Sequence, residues 1–183
     1  MTGAASVRIN CLPLSLESLD RLAVEALVLF PSSDERPLKG VAGFCDWRLC
    51  GRLSRLVENG WFGARRHEML LMDSAGRLPV RIVLVIGLGP LSTLDLTAMR
   101  RTAARMTEAL RRGGWRSFAC EVPPVTQVKM EDALEAFLQE IARPLSGYEF
   151  TLLHQQPALP RLLEDLAPAI DGLRYVPLKT RTD

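Results

Sequence analysis

The sequence predicts an α/β protein, a three-layer α/β/α domain around a mixed central sheet. Three observations carry that prediction. The run Val80–Gly87 is rich in Val and Ile, about a strand in length, and is stopped by Gly87-Leu88-Gly89-Pro90. An apolar run bounded by turn residues reads as a strand buried on both faces, with a sharp turn at its C-terminal end. From residue 80 onward, strand-like and helix-like segments alternate, after a strand-rich first half. That order gives helices on both faces of a sheet. A turn-like segment, Ser74–Pro79, separates two neighbouring strand-like runs, so at least one pair is antiparallel and the sheet is mixed.

The elements follow in order. Ser6–Leu12 alternates, with Val7, Ile9 and Cys11 on one side, and reads as a half-exposed first strand ended by Pro13. Ser18–Leu22 is a short turn or a one-turn helix. Val24–Phe30 is a more apolar, more central strand. Pro31–Gly43, which contains Pro31, Pro37, Gly40 and Gly43, reads as a loop. Phe44–Glu58 reads as one helix, with Phe44, Trp47, Leu53, Leu56 and Val57 on its buried stripe and Asn59-Gly60 as its stop. Arg48, Arg52 and Arg55 fall on the opposite face, either solvated or offered to an anion or partner. His67–Asp73 and Val80–Gly87 are strands.

Leu94–Arg112 is the longest helix, burying Met99, Ala103, Met106 and Leu110 and ended by Gly113-Gly114. Trp115–Val122 is a strand broken by Pro123-Pro124. Met130–Ala142 is a helix with Ala133, Leu134, Phe137, Leu138 and Ile141 inward. Tyr148–His154 is a strand, and Leu159–Ile170 is a helix interrupted or ended near Pro168. Leu173–Leu178 reads as a short edge strand, and Lys179–Asp183 as a polar, frayed tail.

With 183 residues and no linker, repeat or low-complexity stretch, residues 1–183 read as one domain. There is no apolar run of about 18 residues and no signal-like N-terminus, which predicts a cytoplasmic protein with no membrane partner. Cys11, Cys45, Cys50 and Cys120 have the spacing of neither a redox pair nor a zinc knuckle and read as free thiols. His67 and His154 are isolated, and no acidic cluster has ligand spacing, so neither a metal site nor a cofactor is expected. A net charge of +2 is too small to argue for nucleic acid. The basic set Arg100, Arg101, Arg105, Arg111, Arg112 and Arg116 follows the long helix, however, with Glu108 the only acid in that span. Arg101, Arg105 and Arg112 are therefore the candidate anion or nucleic-acid contacts. Trp61-Phe62, in a loop, is buried under that loop or anchors an interface.

Several segments resemble the N-terminal domain of the leucyl (cytosol) aminopeptidase family, M17. They are Val24–Phe30 (VEALVLF), Leu49–Leu56 (LCGRLSRL), Gly63–Glu68 (GARRHE), Arg81–Gly89 (RIVLVIGLG), the helix start RRTAA at Arg100, and Gly147–Phe150 (GYEF). The resemblance covers about residues 5–175 and implies a macro-domain-like fold. In that family a larger catalytic domain follows, with two metal ions and an Asn-Thr-Asp-Ala-Glu-Gly-Arg-like motif. This chain stops where that domain would begin and contains no such motif. The resemblance thus implies a protein that is not itself an enzyme: a standalone interaction or regulatory module that self-associates or docks on a protein partner. A fragment of a full-length metallo-aminopeptidase is the alternative.

Macro domains also suggest nucleotide or ADP-ribose-like binding. The candidate loops are Gly40, Val41, Gly43 and Phe44, where a glycine-rich loop enters the first helix, and Gly87, Gly89 and Pro90. Backbone amides at such places meet phosphates. Against this, Val24–Phe30 runs into Pro31-Ser32-Ser33-Asp34 where macro domains carry an Asn-Ala-Ala-Asn-like turn. Pro123-Pro124 stands where they carry a glycine-rich phosphate loop, and proline offers no N–H. Gly87–Ser92 lacks the third glycine of a dinucleotide fingerprint.

Overall fold

The computed structural model describes residues 6–177. Seven strands form one sheet: β1 (Val7–Pro13), β2 (Ala26–Leu29), β3 (Met69–Asp73), β4 (Ile82–Ile86), β5 (Ser117–Cys120), β6 (Glu149–His154) and β7 (Leu173–Tyr175). Their order is β3-β4-β2-β5-β6-β1-β7. Every neighbouring pair is parallel except β3–β4, which is antiparallel, with Met69 opposite Ile86 and Asp73 opposite Ile82. The turn between β3 and β4 thus makes the sheet mixed, as the sequence predicts.

Helices cover both faces. On one side lie α1 (Leu16–Asp20), α2 (Gly40–Arg48) and α3 (Arg52–Glu58). On the other lie α4 (Leu96–Gly113), α5 (Met130–Ala142) and α6 (Leu159–Leu166). The alternation of β2 sorts its side chains between two cores. Leu27 and Leu29 pack with Leu19, Val41, Cys45 and Leu53, while Ala26 and Val28 pack with Met99, Met106, Phe137 and Phe150. Phe118 and Phe150, side by side on β5 and β6, stack with ring centroids 4.7 Å apart. Both faces of the central strands are buried, which is why those strands read as continuous apolar runs. Among the described residues no helix is long and apolar enough to cross a membrane.

The expected helix Phe44–Glu58 is corrected in two ways. Its first turn begins earlier, at Gly40, and the chain breaks between α2 and α3. Cys50 and Gly51 take left-handed backbone angles, φ 54° and 74°, which end one helix and start the next in a new direction. Asp46, buried on α2, holds the new start. Its carboxylate accepts from the Leu53 and Ser54 amides at 2.8 and 3.2 Å and from the Ser54 hydroxyl at 2.5 Å. The break also rotates Trp47 off the expected buried stripe, leaving it 63% exposed. Arg48, Arg52 and Arg55 do not form a common site. Arg48 pairs with Asp20, Arg52 donates to the Asp73 carbonyl, and Arg55 donates to that of Cys50. The helix expected to falter near Pro168 ends as α6 and a 3-10 turn, Ala167–Ala169. The expected edge strand Leu173–Leu178 ends at Tyr175 as β7, and Leu178 and the tail Lys179–Asp183 lie outside the described residues.

Candidate functional site

The chain leaving β2 leads to β3 and β4 on one side of it, whereas the chain leaving β5 leads to β6 on the other. Open α/β sheets leave their ligand crevice where neighbouring connections diverge in this way, outside the C-terminal ends of the strands. Here that place is bounded by Phe30–Ser32 after β2, Glu121–Val122 after β5 and the N-terminus of α2.

A protein group reaches into it. The Glu121 carboxylate accepts from the Val41 amide at 3.0 Å, in the first turn of α2. The positive end of a helix favours an anion at that position, and the protein supplies its own. Gly40 (φ +56°) makes the approach possible, since a Cβ there would lie 2.5 Å from Glu121 Oε2. Burial pushes the Glu121 carboxyl up to about 7, and the Glu35 carboxylate adds to the rise while the Val41 amide opposes it. The group therefore keeps its proton to higher pH than an ordinary carboxyl. Ser32, buried in the segment after β2, has an Oγ without a hydrogen-bond partner among the described residues.

The other candidate glycines are spent on close packing. The Gly43 amide closes an α2 turn onto the Lys39 carbonyl at 3.0 Å, and a Cβ there would meet the Leu38 carbonyl oxygen at 2.4 Å. After β4, the amides of Gly87, Leu88 and Gly89 donate to the carbonyls of Glu68, Pro31 and Ala64 at 2.8, 3.0 and 3.0 Å. Pro90 is exposed and has no amide hydrogen. The structure therefore gathers Gly40, Val41, Gly43 and Phe44 at α2, while Gly87, Gly89 and Pro90 are held against the loop 63–68.

On the outer side of α2 lies an open groove of 560 Å³, lined among others by Leu16, Leu38, Gly43, Phe44, Trp47 and Gln155. A second hollow of 380 Å³ shares Leu38, Gly43 and Trp47 with it. A third, of 220 Å³, shares Gln155 and reaches Glu121 and His154 at the ends of β5 and β6. Of the loop pair, Phe62 is buried and Trp61 is 80% exposed. Arg101 and Arg105 lie exposed on α4, whereas Arg112, two turns further on, pairs with Glu108 at 2.8 Å. All four cysteines are free thiols. Burial, helped by Asp46, pushes Cys45 up to about 12, and burial raises Cys120 well above the ordinary thiol range. Among the described residues no three His, Cys, Asp or Glu side chains gather to hold a metal ion.

Sequence reasoning missed Glu121 and Asp46 as members of these constellations. Glu121 had a signal, a lone acid between a strand and a Pro-Pro break. The partners of Asp46 are seven and eight residues away, across a helix break that the apolar stripe concealed.

Residues 26–157 match the sequence profile of the cytosol aminopeptidase family, N-terminal domain. A probable cytosol aminopeptidase of Thermosynechococcus vestitus is 28% identical over 116 residues, 63% of this chain and 23% of that protein. One from Geobacter sp. is 35% identical over 101 residues, 55% of this chain and 20% of that protein. The chain thus spans about a fifth of the length of the curated relatives it matches. Among solved structures, the Trypanosoma brucei macrodomain in complex with ADP-ribose superposes with a TM-score of 0.68 at 19% identity, covering 86% of this chain and 68% of that one. At that identity the likeness is one of fold.

Proposed function

This chain belongs to the cytosol aminopeptidase family, matching its N-terminal domain, and from that premise we propose that it works in the cytoplasm as a non-catalytic docking module whose partner is the catalytic part of a family peptidase. The observation that carries the reading is Trp47. It is 63% exposed beside a 560 Å³ groove whose other walls include Leu16, Leu38 and Phe44. A large exposed aromatic next to an apolar hollow is the pattern of an interface anchor. The choice of partner rests on the family, whose matched relatives have about four fifths of their length outside the matched part.

A second reading, nucleotide binding, is favoured by the likeness to a macrodomain in complex with ADP-ribose. The geometry of the crevice weighs against a phosphate at the α2 N-terminus. Glu121 occupies the α2 amide, and a phosphate brought there would meet a carboxylate with a raised proton affinity. Sedimentation velocity of the chain with the separately purified catalytic domain of a family peptidase tests the docking reading. A complex that forms with the wild type and is lost with Trp47→Glu is expected. Absence of any complex, together with saturable ADP-ribose binding in calorimetry, would replace docking with the second reading.

A further inference from the structure

The segment Gly63–Glu68 is built to hold two polar side chains against α4. Glu68 closes it, accepting from the Gly63 and Arg65 amides at 3.0 Å each. The His67 amide donates to the Gly87 carbonyl at 2.8 Å, and the Gly89 amide donates to that of Ala64 at 3.0 Å. Ala64 and His67 both take left-handed backbone angles, φ 51° and 64°. Such angles cost a residue with a side chain, and they persist where surrounding structure over-determines them, often at ligand clamps.

The side chains so held are cationic and incompletely satisfied. Arg66 Nη2 donates to the Thr93 carbonyl and hydroxyl at 3.0 and 2.6 Å, which fixes the guanidinium plane. Its Nη1 is buried with no partner among the described residues, and so is Nε2 of His67. The imidazole has a hydrogen bond to the Ala98 backbone and lies within the field of Arg105, Arg66 and Arg101. Burial and then those three cations push it below the ordinary histidine range. Among the described residues neither Arg101 nor Arg105 joins an ion pair. The neighbouring carboxylates are committed elsewhere: Glu68 as above, Asp95 to the Ala98 amide, Asp34 to the Leu91 amide and Glu108 to Arg112.

Three guanidinium groups and an imidazole from two elements thus meet without a counter-ion among the described residues, and two buried nitrogens, the Arg66 donor Nη1 and the His67 nitrogen Nε2, have no partner there. We infer that Arg66, His67, Arg101 and Arg105 form a binding site for one compact tetrahedral dianion, a phosphate group free or on a small ester. Guanidinium groups match phosphate oxygens with paired donors. His67 takes up a proton as the anion arrives, because the added negative charge reverses the field that now keeps it neutral. The site is separate from the Glu121 crevice: it lies between the loop 63–68 and α4, on the β4 side of the sheet, and does not depend on the docking reading.

Calorimetric titration of the whole chain with sulfate, which stays a dianion across the range used, and with inorganic phosphate tests the inference. Saturable binding is expected, tightening by about tenfold from about pH 8 to about pH 6 for sulfate as His67 is protonated. Arg105→Ala weakens it by about tenfold or more, the loss of one charged hydrogen-bonding partner. His67→Gln removes the pH dependence, and Arg112→Ala leaves binding unchanged. Circular dichroism of each variant confirms that it folds, and Arg101→Ala gives a second, solvent-exposed substitution. Heats without saturation up to about 50 mM would overturn the site, as would equal binding by Arg105→Ala, since sulfate stabilises proteins generally by exclusion. Duplex DNA retained without competition from sulfate, and weakened by Arg112→Ala as much as by Arg105→Ala, would overturn it in favour of an extended polyanion face.

Discussion

Replacing Glu121 by Gln keeps the acceptor oxygen for the Val41 amide and removes the charge. The rise of the carboxyl from 4.5 to about 7 is a statement about stability. Between those two values the folded protein holds a proton on Glu121 that the unfolded chain has released. Stability contributed by this group is therefore full below pH 4.5, declines as pH rises through the window, and is flat above about 7. At about 1.4 kcal/mol per pH unit the loss is about 3 kcal/mol. Partial solvent access at Glu121 reduces that to about 2–3 kcal/mol. His67 and His154 work in the opposite sense, because burial lowers both, and their contribution grows as pH rises towards 6.5. The comparison of wild type with Glu121→Gln removes their effect. Urea unfolding of both proteins should give similar stabilities near pH 4.5, with the Gln variant more stable by about 2–3 kcal/mol at about pH 8. A difference between the two proteins that is the same at both pH values would refute the buried, proton-holding Glu121.

Further outcomes follow from the same geometry. Asp46→Ala should lower unfolding free energy by about 2–3 kcal/mol, since two amides and a hydroxyl at the start of α3 lose their acceptor; chemical denaturation measures it. Gly87→Ala places a Cβ 2.2 Å from the Arg65 carbonyl oxygen and Gly43→Ala one 2.4 Å from that of Leu38, so each should cost about 2 kcal/mol or more, read as a fall in Tm. Exposed Cys50 should react first with a thiol reagent in the native protein, with Cys45 and Cys120 protected until urea unfolds it, because both are buried with raised thiol pKa values; mass spectrometry of time points reports the order.

The sheet was legible because its central strands are buried on both faces. Val80–Gly87 shows this as an uninterrupted apolar run and is found as β4, paired with β2 and β3. The long helix was legible from Met99, Ala103, Met106 and Leu110, all fully buried. The α2–α3 break was not, because apolar spacing continues across it and the cause is a backbone reversal at Cys50-Gly51 supported by Asp46. Reading Trp47 as core was a consequence of carrying one stripe through that break. The candidate loops were placed by local glycine content, and glycine marks close approach without saying what approaches. At Gly40 it is Glu121, and at Gly87 it is the backbone of Ala64 and Arg65. Contacts between segments 80 residues apart, like that of Glu121 with Val41, leave no local pattern to read. The loop 63–68 likewise reveals its cations only once α4 is laid beside it.

Hydrogen exchange of this chain with and without the catalytic domain of a family peptidase tests whether a docking surface is centred on Trp47. Slowed exchange confined to the segment from Leu38 to Cys50, and lost in Trp47→Glu, is the predicted result. Unchanged exchange along α2 in the presence of the peptidase domain, or protection that falls instead on another face and survives Trp47→Glu, would contradict it.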